Sequence, residues 1–295
     1  MIKKIETFKN HILTLYDENS LKQGAGMPLS RKIVSLFGLL LTGMFWVNVP
    51  PADTAGPDEA VRLVDLTHPF DQTTIYWPTS KSFELEIVHR GKAEGGFWYE
   101  ANNFSTAEHG GTHMDAPAHF AEGKWRTDQI PLDRLIAPGI VVDVRSRTRD
   151  NPDYQASKSD FVAWERRHGT IPPGSIVLMF TGWGNYWPDK KKYLGTDLPG
   201  DVKNLHFPGY APSAARFLTE ERRVAAVGLD TPSLDYGQSV DFVAHRIFGA
   251  ANVPGFENVN HLAALPPKGF RIIALPMKIG QGSGAPLRIV AEIGR

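Results

Sequence analysis

His109-Gly110-Gly111-Thr112-His113-Met114-Asp115-Ala116-Pro117-Ala118-His119-Phe120 gathers three imidazoles and a carboxylate into eleven positions of a chain with 10 histidines in 295 residues. The cluster reads as a metal site. His113 and Asp115 are two apart, so in an extended segment their side chains leave the same face and can share one ion. His109 lies four before His113, but the Gly110-Gly111 pair between them favours a tight loop over a helix. Pro117 stops regular continuation, and His119 beyond it has a different aim. The spacing therefore suggests two jobs: His109, His113 and Asp115 as ligands, and His119 as a proton carrier beside them.

Composition narrows the chemistry. With 42% hydrophobic residues the chain can bury a real core, and 32 Lys plus Arg against 32 Asp plus Glu leaves no cationic excess to attract nucleic acid. A small-molecule partner is expected. There is no cysteine, which excludes thiol nucleophiles, thiolate metal sites and disulfides. A metal must be held by nitrogen and oxygen, a ligand set that suits zinc or manganese without choosing between them.

The amino-terminal part divides in two. Residues 1–26 form a polar extension with weak periodicity, which lies outside the translated protein if Met27 is the initiator. Arg31-Lys32 then precede seventeen uncharged residues, Ile33 to Val49, followed by Pro50-Pro51. A basic stretch before an apolar one is the layout of an export signal, so residues 27–55 are expected to be a signal peptide or an uncleaved anchor. The expected location is periplasmic or secreted, with membrane attachment only if the segment is retained; without a signal function the protein is cytoplasmic.

Residues 60–295 read as one domain. Strand signals fall at Val61 to Leu66, Phe83 to Val88, Phe97 to Phe104, Ile140 to Val144, Ile176 to Phe180, Val224 to Leu229, Phe270 to Leu275 and Leu287 to Glu292. Helices are fewer. Ser159 can cap Asp160 to His168 with Gly169 as the stop, Pro212 can open a segment ending near Arg222, and Ser239 can cap Val240 to Ala250. Interleaved strands and helices indicate an α/β or α+β domain with a mixed central sheet, and not an eight-fold barrel.

A second informative stretch is Gly228-Leu-Asp230-Thr-Pro-Ser-Leu-Asp235, followed by His245 and Glu257. A strand running into such a loop is where α/β proteins place function. A lone helical histidine is more often packed structure than ligand, so this pair decides nothing by itself.

The twelve residues from His109 to Phe120 resemble, at every fixed position, the HxGTHxDxPxHF signature of the cyclase family that includes bacterial kynurenine formamidases and isatin hydrolases. The resemblance runs from Val61 to Arg295, through Asp65-Leu-Thr-His68, Tyr76-Trp77-Pro78, Gly228 to Ser233, His245 with Glu257-Asn258, Leu275 to Lys278 and Gly284 to Arg288. It implies a swivelling β/α fold assembled as homodimers or larger. It further implies His109, His113 and Asp115 as metal ligands, His119 as the catalytic histidine and His245 with Glu257 as ligands of a second metal, one or two ions per subunit. Trp77 matches an aromatic that contacts substrate.

The chemistry expected of these parts is hydrolysis of a C–N amide bond in an aryl amide or lactam. Hydroxide formed on the metal attacks the carbonyl, and His119 moves the proton to the departing nitrogen. No G-x-S-x-G or HExxH motif is present to support a serine hydrolase or a zincin. Trp77, Phe97, Trp98, Tyr99, Phe104, Trp183, Tyr186 and Trp187 crowd segments near the loop and suggest an aromatic pocket, with about half of them core. Formamide cleavage and isatin-type lactam opening need the same events, so the motifs do not separate them. Pro78-Thr79 where formamidases commonly carry Pro-Gly, and the Trp183 to Gly195 loop, depart from a minimal formamidase. The rival reading, a metal-binding protein without turnover, leaves His119 without a purpose.

Overall fold

In the computed structural model, which describes residues 61–294, the apolar runs become strands. The polar extension and the segment expected to be an export signal or anchor lie outside the described residues. The described residues form one compact unit. Its strands are β1 (Arg62–Asp65), β2 (Glu84–Lys92), β3 (Trp98–Ser105), β4 (His113–Asp115), β5 (Ile136–Asp143), β6 (Gln155–Ala156), β7 (Ile176–Phe180), β8 (Gly209–Tyr210), β9 (Ala226–Leu229), β10 (Gly255–Glu257), β11 (Phe270–Pro276) and β12 (Gly284–Ile293).

The main sheet runs β1-β12-β11-β5-β7-β9-β10-β4, and a further β12–β4 pairing closes it into a ring with β1 alongside β12. Strands β5, β7, β9 and β10 are mutually parallel; β4 pairs antiparallel with β10 and β11 antiparallel with β5, and β12 pairs antiparallel with both β4 and β11. The mixed sheet expected from the sequence is thus present. Its closure was not readable there, because it rests on three short register pairs, Gly284 with Asp115, Ala285 with Met114 and Pro286 with His113.

Period-two patterning builds the two sides of this ring. Ile176, Leu178 and Phe180 of β7 join a core contributed by every strand of the ring, including Met114, Phe256, Ile272 and Ile289. The intervening Val177 and Met179 face a second core with Phe161, Trp164, Phe217 and Phe248 from the helices outside. Hence β7 is buried on both faces, as its unbroken apolar run requires.

The helices are α1 (Arg145–Thr148), α2 (Lys158–His168), α3 (Lys190–Leu194), α4 (Pro212–Arg216) and α5 (Val243–Ala250). Two starts differ from expectation. Ser157, not Ser159, caps α2, because Asp160 at the third position accepts from Ser157 N at 2.7 Å and completes a capping box. Ser239 does not cap α5; the helix begins after Phe242, and the Asp235 carboxylate accepts from Ala244 N at 2.9 Å and His245 N at 3.0 Å. Pro212 opens α4, and the chain continues as a π-helical turn over Phe217–Glu221.

The β2–β3 hairpin overturns another expectation. Among the described residues it pairs only with itself, and Leu85, Ile87, Phe97, Trp98, Tyr99 and Phe104 are all exposed, so its aromatic rings face solvent.

Phe256 is fully buried at the centre of the ring core. Phe256→Ala should cost about 3–5 kcal/mol of unfolding free energy. Urea denaturation followed by circular dichroism checks this, and a loss below about 1 kcal/mol would mean the ring interior is not one packed core.

Candidate metal centre

Short strand β4 places the two central groups. It lies between β10 and β12, with His113 opposite Glu257 and Asp115 opposite Gly284. Cross-strand neighbours of this kind have Cβ atoms about 5 Å apart, so register alone brings His113, Asp115 and Glu257 together. The Gly110-Gly111 pair makes the entry possible. Gly111 has a left-handed φ of 58°, and a Cβ on Gly110 would lie 2.0 Å from the Tyr76 ring. Gly284 is equally constrained, since a Cβ there would meet His109 Cε1 at 2.4 Å.

The side chains converge. His113 Nε2 lies 3.2 Å from Asp115 Oδ1 and 3.4 Å from Glu257 Oε2. His245 Nε2 lies 3.1 Å from both Asp115 Oδ2 and Glu257 Oε1, and His109 Nδ1 lies 2.6 Å from Asp115 Oδ1. Two overlapping groups result: His109, His113 and Asp115, and Asp115, His245 and Glu257. Asp115 belongs to both. All five predicted ligands therefore meet, including the pair more than a hundred residues downstream.

The far nitrogens explain why these rings suit a cation. His113 Nδ1 donates to Gly111 O at 3.0 Å, and His245 Nδ1 donates to Asp235 Oδ2 at 2.6 Å. His109 Nε2 contacts Ser283 Oγ at 3.0 Å, and Ser283 Oγ donates onward to Glu108 Oε2 at 2.6 Å. With the far nitrogen protonated, the near nitrogen of a neutral ring carries a lone pair. Each near nitrogen thus points a lone pair at carboxylate oxygens, a repulsive arrangement unless positive charge lies between them. His113 Nε2 is buried and has no hydrogen-bond partner. The donor set, nitrogen and carboxylate oxygen only, fits a divalent ion.

The electrostatics carry the same message. Burial pushes Asp115 up, but the imidazoles of His109, His119 and His113 around it hold it well below the usual carboxylate range. Glu257 is raised, by burial first and then by the charge of Asp115. Burial pulls His245 down, yet its bonds to Asp115, Asp235 and Glu257 carry it well above the ordinary imidazole value. Without a metal ion, protons supply the positive charge this cluster demands.

His119 stands apart in kind. It ends a 3-10 turn opened by Pro117, and its ring stacks on His109 with centroids 3.8 Å apart. Among the described residues neither of its nitrogens has a hydrogen-bond partner. Its ring is open to the cavity but crowded by the wall, and this desolvation, reinforced by His109, His245 and His113 against the pull of Asp115, lowers its pKa. It is a neutral, available base.

The cavity beside the cluster measures about 260 Å³ and is lined by Trp77, Phe120, Pro232, Phe242 and the cluster itself. That lies just under the usual range for ligand pockets. Trp77 reaches it as expected. Trp183 and Trp187 instead pack with Tyr193 and Phe207 behind it, while Tyr186 is exposed. Phe120 and Phe242 take the places the sequence reading gave to other rings. Phe242 has a left-handed φ of 49°, which no sequence pattern announced. Asp235, Glu108 and Ser283 were also missed as partners of the ligands; Asp235 was visible only as the end of a functional-looking loop.

A model of the family described as Putative cyclase matches residues 64–236. The chain is 33% identical over 218 residues to isatin hydrolase of Roseibium aggregatum, covering 71% of this chain and 81% of that protein. The chain belongs to the cyclase family. It is also 28% identical over 238 residues to kynurenine formamidase of Salinibacter ruber, covering 78% of this chain and 97% of that one. A solved isatin hydrolase bound to the product analogue thioisatinate matches with a TM-score of 0.73 at 30% identity, over 80% of this chain and 93% of that chain. The chain is a hydrolase of this family.

Two outcomes follow from the far-nitrogen bonds and the trapped protons. Asp235→Asn should weaken divalent-metal affinity about 10–100-fold in competition titrations with a chelating dye; unchanged affinity would remove Asp235 from the His245 assembly. Metal uptake should release protons at neutral pH, read as a dependence of the calorimetric binding enthalpy on the ionisation enthalpy of the buffer.

Proposed function

We propose that this protein opens the C–N bond of an aryl lactam of the isatin type, using one or two divalent ions, Zn or Mn. His109, His113 and Asp115 would hold one ion, and Asp115, His245 and Glu257 a second. The observation that carries the reading is the neutral, unpaired His119 facing an aromatic cavity directly beside the shared Asp115. The higher identity to isatin hydrolase than to kynurenine formamidase supports a cyclic substrate.

When bound, a divalent ion supplies Lewis-acid polarisation and lowers the pKa of water. The remaining work falls to the protein. Trp77, Phe120 and Phe242 hold the flat ring and exclude bulk water from the cavity. Water adds its oxygen to the carbonyl carbon, and the C–N bond breaks. One proton of that water passes through His119 to the leaving nitrogen and the other is released to solvent, so a carboxylate and an aniline nitrogen result. His119 begins neutral, as a proton acceptor must, and ends neutral. Assembly as homodimers or larger would cover the exposed apolar hairpin.

With metal-loaded protein, isatin should be hydrolysed faster than N-formylkynurenine. His119→Ala should lower kcat about 10²–10⁴-fold while metal content stays unchanged. Turnover of isatin by that variant at the wild-type rate would overturn the proton-carrier role, and a preference for the formamide would move the substrate to the acyclic class.

A further inference from the structure

The loop from Trp183 to Gly195 carries Tyr193, whose ring is fully buried although it belongs to the short, lysine-rich helix α3. Lysines at 190, 191 and 192 keep one side of that turn in water, so the aromatic ring is turned inward. Its hydroxyl donates to Asn258 Oδ1 at 2.7 Å, with Asp230 O at 3.1 Å as a second acceptor. Asn258 Nδ2 in turn donates to Gly111 O at 2.6 Å. Gly111 O is the acceptor that holds His113 Nδ1 at 3.0 Å.

This chain of bonds has only one orientation. A backbone carbonyl can only accept, so Asn258 must present its NH₂ to Gly111 and its oxygen to Tyr193. The tyrosine must then donate. Asn258 itself is fixed by its backbone, with N donating to Thr231 O at 3.0 Å and O accepting from Thr112 Oγ1 at 2.8 Å. It also occupies a left-handed conformation, φ 55°, that Asn tolerates better than most residues. Trp183 locks the other side of the loop, its Nε1 donating to Tyr193 O at 2.8 Å.

We infer that Tyr193 is a positioning residue for the metal centre. Acting through Asn258 and Gly111 O, it fixes the tautomer and aim of His113. Gly111 has a left-handed φ of 58° and its N donates to Ile75 O at 2.9 Å, which fixes its amide but not the direction of its carbonyl. The bond from Asn258 is what keeps its carbonyl directed at His113. The inference rests on the metal-ligand role proposed for His113, and it gives the loop a purpose that neither the core nor the cavity supplies. Tyr193 touches no substrate, so it acts by setting how well the cluster is formed before any ion arrives.

The test compares wild type, Tyr193→Phe and Trp183→Phe, each stripped with chelator and titrated with Zn²⁺ and Mn²⁺ by competition with a metal-binding dye. Melting temperature is measured with and without metal. Tyr193→Phe keeps the ring and removes only the donor; it should lose about 10-fold in metal affinity, and its metal-induced rise in Tm should shrink. Trp183→Phe breaks the bond onto the Tyr193 backbone carbonyl and leaves the bond from the Tyr193 hydroxyl to Asn258 in place. It should lower the metal-free Tm while leaving affinity near wild type. If Tyr193→Phe falls in metal-free Tm but binds metal as wild type does, Tyr193 is structural only and the inference fails. If wild type itself binds neither ion, the metal reading fails first, and this is seen before any variant is compared.

Discussion

Asp115 and Glu257 lie buried with oxygens 3.1 Å from one nitrogen of His245, and each also approaches His113. Two carboxylates cannot share so small a dry space unless positive charge stands between them. This demand organises the rest of the molecule. It requires imidazoles whose lone pairs face inward, hence acceptors that hold the outer nitrogens, hence loops that deliver those acceptors. It also requires a strand that sets His113 and Asp115 on one face, and a partner strand with Glu257 in register. The closing pair of the ring, β4 with β12, belongs to that same strand, so ring closure and the cluster depend on the same three residues.

The cluster opposes folding as well as guiding it. Buried charges are costly, and a pair that loses its partner costs more than it contributed. The surrounding apolar packing carries that cost: the ring core of Leu178, Phe256, Ile272 and Ile289 on one side, and the helix-facing core on the other. The motif at the start of the domain has a related, purely structural share. Asp65 takes a two-bond contact from Arg288, at 3.0 and 2.7 Å, and so ties the first strand of the domain to the last.

Much of the site was legible because it is local. His109 to His119 is one continuous stretch, and a three-residue strand preserves the same-face relation of His113 and Asp115 that spacing predicts. The distal half was legible only by resemblance, since nothing near His245 in sequence shows that Asp235 caps its helix and binds its ring. The aromatic pocket was misread for a clear reason. Composition cannot distinguish a ring in the wall from one on a solvent-facing hairpin, and β2–β3 carries its aromatics out of the main sheet altogether. Phe242 escaped because a non-glycine left-handed residue leaves no signature in a single sequence.

The division of labour among the four histidines follows from their far nitrogens rather than from their distances. His109, His113 and His245 each have one nitrogen tied to an acceptor: a serine that leads to Glu108, a backbone carbonyl, and Asp235. A ring anchored in that way presents one fixed lone pair and cannot exchange its outer proton without breaking that bond. That is the property of a ligand. His119 carries no such tether among the described residues, and the proline turn that ends at it leaves the ring stacked flat on His109 and open to the cavity. A ring with both nitrogens free can accept a proton on one side and give it up without a structural penalty. The proline between Asp115 and His119 thus does more than end a strand: it separates the carboxylate shared by both groups of the cluster from an untethered ring open to the cavity.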